Sequence, residues 1–243
     1  MKLDYFTQRE VGLIVPGREP CQYCGPTGEL LAELAALSDR ITLRAHVRGE
    51  EPELERRLHV FGVPCTVIRG VRNRPLSYYG IPAGGLFGAF VQVLVDASRG
   101  QPLLSTAARN RLRRVQDDVH LQVFVTPPCP YSPPIAVLAW RMALESTRIR
   151  VEIVEATEFP ALLQRFAIVA VPATLINGRS LITGALPDDE YVASVLRAAA
   201  LPVARSQTTG SATPIQLPSA AGGPSALQTA QPSTAPRLYL PGR

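Results

Sequence analysis

No run of this chain approaches the roughly 18 uninterrupted apolar residues needed to span a bilayer. The segment MKLDYFTQREVGLIVPGRE has no apolar stretch of signal-peptide length and no small-residue cleavage site. The cytoplasm is therefore the default expectation, and no membrane partner is called for. No Gly-rich dinucleotide fingerprint occurs, so any electrons this chain handles must arrive from a separate protein. Histidine and cysteine are scarce, at three and four residues. His46, His59 and His120 show no ligand spacing and read as packing or edge residues. Acidic residues are absent from Val203–Arg243, whose Arg205, Arg237 and Arg243 supply three of the five net positive charges. The remaining +2 is spread over residues 1–202, and the Arg111, Arg113, Arg114 trio reads as a solvated helix face, so nothing points to nucleic acid.

What is present is a duplicated cysteine turn. Cys21-Gln22-Tyr23-Cys24 recurs 108 residues later as Cys129-Pro130-Tyr131-Ser132, with the second sulfur replaced by a hydroxyl. At the same offset Val11 matches Val119, Ile41 matches Ile149, Pro64 matches Pro172, Thr66 matches Thr174, and Gly70 matches Gly178. Two similar units in tandem follow from a register this long without a gap.

Periodicity gives each unit the same order. Val11–Val15 and Val119–Val125 read as first strands ending at the cysteine loop. Leu30, Leu31, Leu34, Ala35 and Leu37 recur at helical spacing, and Pro134–Ser146 is the second unit's counterpart. Ile41–Val47 and Ile149–Val154 read as strands. Pro52–Leu58 and Pro160–Phe166 read as helices opened by proline. Strands at 64–68 and 172–176 follow. Asn177-Gly178 is a hairpin signal, and Asn73-Arg74-Pro75 a longer turn. Helices at Leu86–Ser98, with Phe87, Phe90, Val91 and Leu94 on one face, and at Pro187–Ala199 close the units.

The order β-α-β-α-β-β-α with a cysteine loop after the first strand is that of a thioredoxin-like unit, so the expected fold class is α/β. Expected divisions are 1–101, 102–202 and a Pro/Ser/Ala/Thr-rich tail over 203–243. With six prolines and no periodicity, that tail reads as disordered. Leu103–Val115 reads as a helix leading the second unit, most of which the first unit lacks.

A thiolate is favoured where unpaired N–H groups and the helix dipole meet at a helix start. Cys21 is thus the candidate nucleophile and Cys24 the resolving thiol. Two sulfurs fall short of a tetrahedral zinc site, and no cofactor is called for. Cys129 keeps the helix-start position, but Ser132 cannot resolve a mixed disulfide. An adduct there needs an external thiol, unless Cys129 is an incidental thiol on a retained scaffold. Cys65 reads as a small buried hydrophobe or, alternatively, an accessory thiol. Neither expected first strand carries an acid that could accept a proton.

CQYC, YYGIPAGGLFGAF (Tyr78–Phe90) and DVHLQVFVTPPCPYS (Asp118–Ser132) resemble, in this order, the motifs of the two-unit protein disulfide oxidoreductases. These are glutaredoxin-like proteins with tandem thioredoxin folds, and the likeness covers about residues 11–200. It implies a cytosolic enzyme that reduces, forms or reshuffles protein disulfides. Its electron donor would be a thioredoxin-reductase-like flavoprotein or a low-molecular-weight thiol. The fold also implies that Pro64 and Pro172 are cis and face the cysteines, leaving Val63 and Val171 to pair with a substrate strand; the alternative is a proline that simply starts a strand. The family's pattern has cysteine where this chain has Ser132. Two other roles stay open. One is an electron carrier between a flavin disulfide reductase and a peroxidase of the peroxiredoxin kind; the other is a peptide-binding module. An iron–sulfur carrier fits Cys-Pro-Tyr-Ser poorly.

Overall fold

In a computed structural model, residues 1–9 and 20–200 are described. Strand β1 (Lys2–Thr7) pairs parallel with β2 (Thr42–Val47) and antiparallel with β3 (Cys65–Arg69), which continues antiparallel to β4 (Pro75–Tyr79). The second unit repeats this pattern. β5 (Val119–Val125) pairs parallel with β6 (Ile149–Glu155) and antiparallel with β7 (Ala173–Ile176), and β7 turns into β8 (Ser180–Thr183). A short parallel pairing of β4 with β6 fuses the halves into one eight-stranded sheet of order β2-β1-β3-β4-β6-β5-β7-β8.

Helices cover both faces. On one side lie α1 (Cys24–Ala36), α3 (Gly85–Arg99), α5 (Ser132–Glu145) and α7 (Asp188–Ala199). Their apolar stripes, including Leu31, Phe90, Trp140 and Val192, merge into one core running through both units. On the other side α2 (Pro52–Leu58) and α6 (Pro160–Arg165) lay Leu54, Leu58, Leu162 and Leu163 over Phe6, Val67 and Phe124. The contact between units is also polar. Arg141 on α5 donates to buried Asp96 on α3 at 2.7 Å. Arg72 and Arg74, from the turn before β4, donate to the last carbonyls of α5, where cations complement the helix dipole.

The expected first strand of unit one needs correction. Val11–Val15 lies outside the described residues, and the strand beside β2 and β3 is Lys2–Thr7. Phe6 pairs with Cys65 as Phe124 pairs with Ala173. Those third-strand residues are 108 apart but the two phenylalanines 118 apart, so unit one carries ten extra residues between its first strand and its cysteines. The Val11–Val119 match is not a structural equivalence. A second correction follows, because the true strand contains an acid, Asp4. It is buried between Arg69, whose Nε donates at 2.7 Å, and His46 at 3.2 Å.

Smaller differences have local causes. Helix α1 ends at Ala36, leaving Leu37 81% exposed beyond the apolar stripe. The leading helix of unit two shrinks to α4 (Thr106–Leu112), opened by the Ser105 side chain accepting the Ala108 N–H. Asn177 and Gly178 both hold positive φ in the loop 177–179, as the hairpin signal requires. No described helix is long and apolar enough to cross a membrane. The expected tail over 203–243 lies outside the described residues.

Candidate functional site

Cys21 and Cys24 form a disulfide at the start of α1. The chain turns there because the Cys24 N–H reaches back to the Cys21 carbonyl at 3.4 Å, and the helix begins at Cys24 itself. Cys21 is half-buried, whereas Cys24 is buried beneath the helix. No acid, base or capping side chain occupies the first turn of α1, so its free N–H groups supply the local positive field. Beneath the helix, the Tyr5 hydroxyl donates to the Cys24 carbonyl. Burial pushes the Tyr5 phenol up, and the nearby Cys65 and Glu158 push it further.

The second cysteine turn has the same backbone. The Ser132 N–H donates to the Cys129 carbonyl at 3.2 Å, and α5 begins at Ser132. Ser132 is buried, and its hydroxyl accepts the Thr126 N–H at 3.3 Å, tying the helix start to the end of β5. A hydroxyl thus holds the loop where a second sulfur would sit. Cys129 is half-buried and free, and its thiol donates to the Val171 carbonyl at 3.6 Å. Next to it Tyr131 stands 63% exposed.

Both expected prolines follow cis peptide bonds, Val63-Pro64 and Val171-Pro172. Their carbonyls are taken by equivalent partners, the Gly80 N–H at 3.0 Å and the Gly184 N–H at 2.8 Å. Val63 and Val171 are half-buried, with the prolines buried behind them. The Cys129–Val171 contact shows directly that the residue before the proline faces the cysteine turn.

Cys65 is fully buried beside Tyr79, and burial pushes its thiol far up, so it stays protonated. His46 bridges Asp4 and Glu51, and His59 sits at the left-handed C-cap of α2. His120 lies 2.9 Å from the buried Glu152 carboxylate, an ion-pair distance without hydrogen-bond geometry.

Two features escaped the sequence reading. One is an open groove of about 520 Å³ between α1 and the start of α3, framed by Pro26, Glu29, Leu30 and Glu33 of α1 and by residues 81–84 and 87. Phe87, expected in the core face of α3, is 36% exposed there. The other is Glu158, which follows β6 yet hydrogen-bonds the first unit: its Oε1 accepts the Ile81 N–H at 2.8 Å. Gly80 permits this approach. It holds φ +109°, and a Cβ there would lie 2.7 Å from the Glu155 Cβ and 2.9 Å from Glu158 Oε1.

Comparison with known proteins places this geometry. A family profile described as "Thioredoxin domain" matches residues 119–197. A solved protein disulfide oxidoreductase from Aeropyrum pernix superposes with a TM-score of 0.71 at 25% identity, covering 82% of this chain and 85% of that one. The NTD_N/C domain of alkylhydroperoxide reductase from Enterococcus faecalis gives 0.69 at 24%, covering 80% and 89%. A curated NADH dehydrogenase from Ferdinandcohnia aciditolerans is 24% identical over 167 residues, 68% of this chain. The match spans only 30% of that relative's own length. Residues 119–197 match the thioredoxin-domain profile, and the two units together carry the tandem thioredoxin-like fold seen in the protein disulfide oxidoreductase.

Proposed function

We propose that the chain is a cytoplasmic thiol–disulfide oxidoreductase acting on protein disulfides through Cys21 and Cys24. The observation that carries this reading is the disulfide itself. It joins a half-buried leading cysteine to a buried second one at an uncapped helix start. Reduced Cys21, as the thiolate, attacks a substrate disulfide and expels one substrate sulfur. Cys24 then attacks Cys21, releases the second sulfur and leaves the disulfide seen here. An external dithiol or a flavoprotein disulfide reductase returns the pair to the reduced state. The cis Val63-Pro64 segment just before β3 and the groove beside Phe87 support docking of an extended substrate segment.

Cys129 is limited by Ser132 to monothiol chemistry, its adducts being cleared by an outside thiol. We divide the chain accordingly, with a dithiol unit over 1–101 and a half-site unit over 102–202. The test is a trap. Incubated with a protein disulfide, Cys24→Ser should accumulate a mixed disulfide that peptide mass spectrometry locates at Cys21. Absence of any Cys21 adduct would refute the assignment.

A second reading is favoured by the likeness to an alkylhydroperoxide reductase domain and to NADH dehydrogenases. In it the same pair carries electrons from a nicotinamide-linked flavoprotein to a peroxidase of the peroxiredoxin kind. Peroxide-dependent NADPH or NADH consumption that requires this chain, a flavoprotein reductase and a peroxiredoxin together would separate a carrier from a general reductase.

A further inference from the structure

Strand β1 alternates its side chains between the two helix layers. Leu3 and Tyr5 join the core beneath α1, whereas Phe6 joins the cluster beneath α2. Tyr5 is buried, and its ring lies against Gly28 of α1, where a Cβ would sit 3.2 Å from the Tyr5 Cε1. With no side chain at residue 28, the ring passes close under the helix and its hydroxyl meets the Cys24 carbonyl. The second unit is built differently. Val123 stands opposite Thr174 as Tyr5 stands opposite Thr66, and the counterpart of Gly28, four residues past the helix start, is Ala136. There the Ser132 hydroxyl ties the helix start to β5 by accepting the Thr126 N–H. In the first unit that position is the Cys24 sulfur, already bonded to Cys21. The tyrosine thus accompanies the dithiol and the valine the half-site.

The peptide that Tyr5 touches belongs to the helix start itself. Its carbonyl is that of Cys24 and its N–H that of Gly25. Around it, the Cys24 N–H goes to the Cys21 carbonyl and the Thr27 N–H to the Tyr23 carbonyl, while Pro26 has none. The Gly25 N–H stays free among the described residues. First-turn N–H groups point out of the helix start, the end at which Cys21 is bonded to Cys24. A donor on a peptide carbonyl makes that peptide's N–H a stronger donor, because hydrogen bonds in series polarise one another. Burial pushes the Tyr5 phenol up, so it keeps its proton and donates throughout the range in which a cysteine titrates. The other titratable groups that act on it are Cys65 on β3, itself held protonated, and Glu158 beyond β6.

We propose that Tyr5 is a positioning residue of the dithiol: by donating to the Cys24 carbonyl it fixes the start of α1 and strengthens the Gly25 N–H toward the Cys21 thiolate. This rests on the thiol–disulfide reading above and adds a residue of β1 to it. Stabilising the thiolate favours the reduced pair over the disulfide. The hydroxyl therefore raises the reduction potential of Cys21/Cys24 and lowers the pH at which Cys21 becomes reactive.

The test uses the full chain and removes only the hydroxyl. Wild type, Tyr5→Phe and a control, Tyr79→Phe, are equilibrated in glutathione buffers and quenched in acid. The oxidised fraction of the Cys21/Cys24 peptide is then read by mass spectrometry. Tyr79 is equally buried, but its hydroxyl donates to the His59 carbonyl at 3.0 Å within the cluster beneath α2. Tyr5→Phe should make the disulfide roughly threefold harder to reduce, and should move the pH midpoint of Cys21 alkylation by iodoacetamide up by about half a unit. Tyr79→Phe should change neither. An unchanged equilibrium and midpoint in Tyr5→Phe, or equal shifts in both variants, overturn the proposal and leave the exchange chemistry intact. A wild-type disulfide that exchanges with neither glutathione nor a dithiol overturns both.

Discussion

Glu158 accepts the backbone N–H of Ile81 at 2.8 Å, a bond between the second unit and the first across 77 residues of sequence. The pairing of β4 with β6 brings the two together, and Gly80 leaves the space. A carboxyl raised from its usual 4.5 to about 7 makes stability depend on pH in a definite direction. The folded state holds the proton more tightly than the unfolded chain. Its stabilising contribution is therefore complete below pH 4.5 and is lost as pH rises through 7. Urea unfolding of wild type and Glu158→Gln should show their stability difference shifting against the wild type between pH 4.5 and 7.5. A shift in the wild type's favour over that window would contradict the assignment.

Asp4 sets up a contrast between buried and exposed ion pairs. Its carboxylate lies out of solvent between Arg69 and His46, whereas Arg56 pairs with Glu53 on the open face of α2. Removing one partner of a buried pair strands a charge, so Arg69→Met should cost about 3 kcal/mol. Arg56→Met should cost under about 1 kcal/mol, as exposed pairs do. Denaturant unfolding of the two variants checks the ordering, and equal losses would mean that Asp4 is not dependent on Arg69.

Ser132→Cys tests whether the second unit kept its architecture while losing one chemical step. The backbone bond from residue 132 to residue 129 matches that from Cys24 to Cys21, at 3.2 and 3.4 Å. The oxidised wild type has two free thiols, Cys65 and Cys129. Ser132→Cys should form a second disulfide on oxidation and leave only Cys65 free. Thiol counting in denaturant reads this directly, and three free thiols would show that the second turn cannot close.

Much of this was legible in the chain. The 108-residue repeat located the cysteine turns, the prolines and both third strands, because these positions are fixed by backbone geometry that both units share. β1 was missed because Val11–Val15 has the composition of a buried strand, and only pairing with β2 and β3 reveals that Lys2–Thr7 holds the place. The same error hid Asp4. Phe87 fits the apolar stripe of α3 yet faces the groove, since periodicity does not say where a neighbouring helix stops covering it. Glu158 had no signal at all. Its meaning comes from a residue on another unit, and no local pattern records a contact of that kind.

The central claim is that complete turnover runs through Cys21 and Cys24, with Cys129 dispensable. The direct measurement is steady-state reduction of a protein disulfide, driven by a dithiol, in wild type, Cys21→Ser and Cys129→Ser at equal concentration. Cys129→Ser should keep turnover within about twofold of wild type, and Cys21→Ser should show none above the uncatalysed rate. Turnover retained in Cys21→Ser and lost in Cys129→Ser would contradict the account.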